Sequence, residues 1–134
     1  MTTIIVIGHG KFASGITEGL NLILGKQDNY YAIDYNEDLN SGMLRKKIKN
    51  IVEKCNDQVL ILCDLISGTP FNISMELAIK NEKIRLIYGI NLSMLIEIVS
   101  KRNFSEDEID YDEIINIGKE SMGIFSIEDL YDDE

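Results

Sequence analysis

The side chain best suited to chemistry at neutral pH occurs once in this chain: His9, set between Gly8 and Gly10. Imidazole has the unperturbed pKa nearest neutrality, so it can serve as nucleophile, base or ligand under physiological conditions. The apolar run Thr3–Ile7 ends just before it, so a buried strand would deliver the ring into a loop with no bulk on either side. Glycine permits backbone angles closed to other residues and lets a second molecule come close. A lone histidine in a strand-to-helix turn is by default a plain surface residue. Its two neighbours and a second loop argue otherwise.

In that second loop, Asp64 follows the apolar run Gln58–Cys63 and leads into Leu65-Ile66-Ser67-Gly68-Thr69-Pro70-Phe71-Asn72. A carboxylate bonded to one imidazole nitrogen sets the tautomer, leaves the other nitrogen free to attack, and stabilises the cation that follows. Ser67 and Thr69 supply hydroxyls, and Gly68 lets the backbone turn so that successive N–H groups point outward. A helix starting at Pro70, with Thr69 as its N-cap, would add unsatisfied donors and the positive end of a dipole. An oxyanion such as phosphate would then be held without a cationic side chain. Lys11 is close in sequence, but a solvated lysine is the simpler reading. Taken alone, Asp64 could be a turn former or a helix cap; paired with a strand-end histidine, it reads as functional.

These residues need a scaffold that brings two distant loops together. Thr3–Ile7, Tyr30–Asp34, Gln58–Cys63 and Lys83–Tyr88 are short runs rich in β-branched or aromatic residues, each ending near Gly, Asp or Asn. Between them, Ile16, Leu20, Ile23 and Leu24 recur at helical spacing, as do Leu44, Ile48, Ile51, Val52 and Cys55, and Ile73, Leu77 and Ala78. Leu92, Leu95, Ile96 and Val99 follow the fourth run, and Asn40 or Ser41 can cap the second helix. Strand–helix alternation predicts an α/β fold: an open, mostly parallel sheet with helices on both faces. In such sheets, sites form beyond the carboxyl ends of strands where the strand order reverses. His9 and Asp64 would meet there if the first and third strands are neighbours. Towards the C-terminus, Ile109, Ile114, Ile115 and Ile117 predict one more helix, and Gly118–Ile127 a short final strand.

Composition removes several classes. The 134 residues are 45% hydrophobic and show no repeat or linker, which predicts a single domain over 1–134. No apolar stretch approaches a membrane span, and no signal peptide is expected, which points to the cytoplasm. Cys55 and Cys63 fall inside apolar patterns and read as reduced packing residues. With one histidine and no Cys-x-x-Cys pair, no metal site and no cofactor are expected. A formal charge of −10 makes nucleic acid an unsuitable partner.

Val6-Ile7-Gly8-His9-Gly10 and Asp64-x-x-Ser67-Gly68-Thr69-Pro70-Phe71-Asn72 together resemble the signature of the mannose-type IIA proteins of the bacterial phosphoenolpyruvate-dependent sugar phosphotransferase system. Gly89-Ile90-Asn91-Leu92-x-Met94-Leu95 resembles a third segment of that family, and the similarity runs the length of the chain. The resemblance implies a phosphocarrier in which His9 accepts a phosphoryl group from phospho-HPr and passes it to a IIB protein or domain, with IIC and IID membrane components downstream. It implies that Asp64 orients His9, and that Thr69 and the loop around it, with Ser67 and Gly68, contact the phosphoryl oxygens. It further implies four parallel strands in the order 2-1-3-4, and a C-terminal antiparallel strand exchanged in a homodimer, which would give Gly118–Ile127 a place. Ser67 stands where many members have glycine, and Ser93 where many have proline; neither touches the His/Asp pair.

Two other readings share these residues. A regulatory phosphohistidine domain would use the same chemistry to signal sugar status. A non-catalytic flavodoxin-like module would bind an anion or nucleotide in the same crevice, but the chain has neither nucleotide-binding glycine motif.

Overall fold

In the computed structural model, which describes residues 1–131, the four apolar runs are strands: β1 (Thr3–His9), β2 (Tyr30–Tyr35), β3 (Val59–Cys63) and β4 (Ile84–Tyr88). They form one parallel sheet in the order β2-β1-β3-β4. The two central strands are buried almost end to end, whereas β2 and β4 expose residues such as Tyr31 and Arg85. Strands covered on both faces read as unbroken apolar runs, as β1 and β3 do.

Five helices cover the sheet: α1 (Phe12–Leu24), α2 (Ser41–Glu53), α3 (Thr69–Lys80), α4 (Leu92–Phe104) and α5 (Tyr111–Glu120). The two-residue period of the strands divides the core in two. Ile4, Val6, Leu60 and Leu62 pack with Leu20, Leu95, Ile98 and Ile114 from α1, α4 and α5. Ile5, Ile7, Ile61 and Cys63 face the other way, against Leu44, Ile48, Ile73 and Leu77 from α2 and α3. Fully burying each such side chain contributes about 1.5–3 kcal/mol, which anchors β1 and β3 side by side.

Caps fix where the helices begin. Asn40 accepts from the Met43 N–H at 2.8 Å to start α2, and Asn91 accepts from the Met94 N–H at 2.9 Å to start α4. The start of α3 differs from the expected Thr69 cap. Gly68 is the N-cap residue, with φ +89° and no side-chain cap bond, and Thr69 is already helical. The tight turn that carries this loop back towards β1 requires glycine there, so the helix begins one residue early.

The C-terminal expectation is also revised. Gly118–Glu120 finish α5, with Gly118 packed against Met94, so the predicted strand cannot start at Gly118. Residues 122–126 pair with none of this chain's strands, and Ile127–Tyr131 form a 3-10 turn. Met122, Ile124, Phe125 and Ile127 stand exposed, Ile124 by 92%.

Candidate active site

β1 and β3 end side by side, yet the chain leaves them towards opposite faces of the sheet: α1 packs with one core layer and α3 with the other. The crevice between those departures is the switch point of the sheet. His9 is the last residue of β1, and Asp64 is the first after β3, its N–H donating to the Ile7 carbonyl at 3.3 Å.

The sequence therefore places the pair, and the structure joins them. Asp64 Oδ2 lies 2.9 Å from His9 Nδ1 and also accepts the His9 backbone N–H at 2.9 Å. Oδ1 accepts the Leu65 N–H at 2.9 Å. Burial alone would raise the Asp64 carboxyl, but the His9 backbone and ring hydrogen bonds, the His9 charge and the Leu65 N–H together hold it below the usual carboxylate range. It thus stays an anion at neutral pH. The carboxylate side chain is only 11% exposed, while the imidazole is 44% exposed. With Nδ1 held by Asp64, the nitrogen open to a reaction partner is Nε2.

Gly68 lies against that nitrogen. A Cβ on Gly68 would come within 2.7 Å of Nε2 and 3.0 Å of Cε1, so only glycine permits both the turn and the approach. Ser67 is exposed and Thr69 half-buried on either side of it. Among the described residues, neither hydroxyl has a hydrogen-bond partner. The α3 N-terminus is equally free: its cap lacks a side-chain bond, Pro70 has no N–H, and no acidic residue lies in the first turn. The Asn72 N–H is taken by the Gly68 carbonyl at 3.0 Å, which leaves the Thr69 and Phe71 amides unpaired among the described residues. An anion attached to Nε2 would meet these donors and the positive end of the dipole.

Two residues that sequence reasoning passed over complete the surroundings. Tyr35 pairs with His9 across the β1–β2 register, and its ring stands edge-on to the imidazole, 6.3 Å between centroids at 87°. Its carbonyl accepts the Gly10 N–H at 2.8 Å. Asp34, just before it, bonds Ser14 at the start of α1. The available signal was their position at the end of the second strand, level with His9. On this side an open cleft of about 640 Å³, lined by His9, Gly10, Tyr35, Leu39 and Asn40 among others, gives a partner access. Lys11 is exposed and bonds no carboxylate among the described residues.

Known proteins resemble this chain over most of its length. A family model described as "PTS system fructose IIA component" matches residues 3–115. The sorbose-specific EIIA component of Lacticaseibacillus casei is 33% identical over 108 residues, covering 79% of this chain and 78% of that protein. The mannose-specific EIIAB component of Escherichia coli K12 is 32% identical over 124 residues, 90% of this chain but only 38% of that longer protein. The crystal structure of a phosphotransferase system component EIIA from Streptococcus agalactiae superposes with a TM-score of 0.84 at 34% identity, covering 92% of this chain and 97% of the other.

Proposed function

The chain belongs to the mannose-type IIA components of the sugar phosphotransferase system, and on that premise we propose that His9 Nε2 is the atom that takes up and hands on the phosphoryl group. The observation that carries this is the 2.9 Å bond from Asp64 Oδ2 to Nδ1, which leaves Nε2 free against Gly68 at the uncapped start of α3.

The neutral ring attacks through the Nε2 lone pair. A P–N bond forms on His9 as the P–N bond of the donor breaks, and the electron pair of that bond returns to the donor. The Nδ1 proton stays in place, shared with Asp64, whose negative charge stabilises the ring as it becomes positive. Phosphoryl transfer demands alignment and charge stabilisation more than covalent machinery. The Thr69 and Phe71 amides and the Ser67 and Thr69 hydroxyls supply the donors for the equatorial oxygens. Transfer onwards reverses these steps with a nucleophile on the acceptor.

In this reading the whole chain, 1–134, acts as one carrier domain in the cytoplasm. The donor is phospho-HPr and the acceptor a IIB protein or domain, with IIC and IID components moving the sugar. The −10 charge suits basic protein partners. No helix among the described residues is long and apolar enough to cross a membrane. The carrier works as a homodimer in which 122–126 adds an antiparallel strand to the partner's sheet. What supports this is the unpaired, exposed apolar segment itself, together with a groove of about 310 Å³ along β4, lined by Leu86, Tyr88, Met94 and Met122 among others.

Incubation with phosphoenolpyruvate, enzyme I and HPr, followed by mass spectrometry, tests the reading. One added phosphate, located on His9 and missing from a folded His9→Ala variant, is the expected result. Undiminished labelling of that variant would overturn it.

A further inference from the structure

His9 stands between two helix N-termini. α1 begins at Phe12, just beyond the Gly10–Lys11 turn, and α3 begins at Thr69, with Gly68 against Nε2. Either positive end would attract a phosphoryl dianion. The chain treats the two ends differently. The α3 end receives no side-chain cap bond and has no acidic residue in its first turn. The α1 end has no side-chain bond from its own cap residue, Lys11, but receives a carboxylate from another element. Asp34, near the end of β2, accepts the Ser14 N–H on Oδ1 at 2.9 Å and the Ser14 hydroxyl on Oδ2 at 2.7 Å.

We propose that Asp34 is a positioning residue that reserves the α3 end for the phosphoryl group by occupying the α1 end and tethering the His9 loop. Two physical effects follow. A carboxylate seated on an orphan amide satisfies that donor and offsets the local dipole, so a second anion gains nothing there. The tether also holds the turn from above: Asp34 lies level with Gly8 in the β1–β2 register, and the next residue, Tyr35, takes the Gly10 N–H and sets its ring beside the imidazole. Strand end, loop and helix start are thus fastened at both sides of His9. This inference rests on the reading of Nε2 as the phosphoryl-bearing atom.

The test is a titration of 15N-labelled protein with inorganic phosphate, read at individual amides, beside transfer kinetics from phospho-HPr. In the wild type, the Thr69 and Phe71 amides shift and Phe12–Ser14 stay still. In Asp34→Ala, Phe12–Ser14 shift as well, the His9 ring 15N resonances change, and kcat for phosphoryl uptake falls about fivefold, the rate equivalent of one helix-cap interaction, with KM nearly unchanged. Asp34→Asn keeps an acceptor for Ser14 but not the charge. It restores the ring resonances and most of kcat, yet still admits phosphate to Phe12–Ser14. The same Phe12–Ser14 response in wild type and both folded variants overturns the proposal, as does an unchanged kcat in Asp34→Ala. Failure of the carrier reading shows separately, as absence of phosphate on His9 in the wild type.

Discussion

A single oxygen of Asp64, Oδ2, holds both the backbone N–H and the ring Nδ1 of His9, each at 2.9 Å. Strand end and imidazole are therefore set by the same atom. Moving the carboxylate would displace the ring and its proton together, and this coupling makes Asp64 the first position to test.

Asp64→Asn is expected to slow phosphoryl uptake by about one to two orders of magnitude, since an amide neither enforces the tautomer nor stabilises a positive ring. Stopped-quench kinetics with phospho-HPr reads this directly. A wild-type rate would remove Asp64 from the mechanism.

The same substitution has a pH signature in stability. The Asp64 carboxyl is held below its ordinary value in the folded state, so its contribution is full above the unfolded value, about 3.9, and is lost as pH falls through the lower folded one. Charge-assisted hydrogen bonds of this kind are worth about 1.5–3 kcal/mol. Urea unfolding should show a stability gap of that order between wild type and Asp64→Asn at pH 7. The gap should close below about pH 4; one that persists at lower pH would contradict the account.

Gly68 and Gly10 both have positive φ, +89° and +59°, but only Gly68 has the imidazole where a Cβ would go. Alanine at a positive φ costs about 1–3 kcal/mol at either site. Gly68→Ala should add a loss of transfer of about a hundredfold, because the methyl group crowds the reactive nitrogen. Gly10→Ala should keep most of its transfer rate. Equal rates for the two variants would separate Gly68 from the chemistry.

Burial pushes the Cys63 thiol up to about 12, with the Asp64 charge adding to the rise and the Ser74 bond opposing it. The thiolate is the reactive form. Iodoacetamide at pH 8 should leave Cys63 unmodified in the native protein and label it after unfolding in guanidinium. Native labelling at a free-thiol rate would show that the core beneath the site opens.

A chain ended after Ser121 lacks the exposed segment Met122, Ile124 and Phe125. It should behave as a monomer in light scattering while the full chain is a dimer, with His9 phosphorylation retained. A full-length monomer would sink the exchanged strand.

Much of this molecule is readable along the chain, for reasons particular elements make plain. β1 and β3 are buried on both faces, so they appear as unbroken apolar runs, and His9 and Asp64 stand where those runs stop. Asn40 precedes a helical pattern and caps it as such residues do. Thr69 before Pro70 carries the same local signal, yet Gly68 takes the cap position, because the turn must pass against His9.

Sequence by itself thus determined the four strands and five helices, and which two side chains stand at the ends of β1 and β3, since both follow from local periodicity and residue type. Only the tertiary structure decided that Nε2, not Nδ1, is the open nitrogen, and that Asp34 and Tyr35 brace the loop. Those facts depend on the register of parallel strands whose pairing spans a whole helix, and on distances of a few tenths of an ångström. No spacing along a chain encodes such distances. They arise when the two core layers close on the sheet and bring its strand ends level.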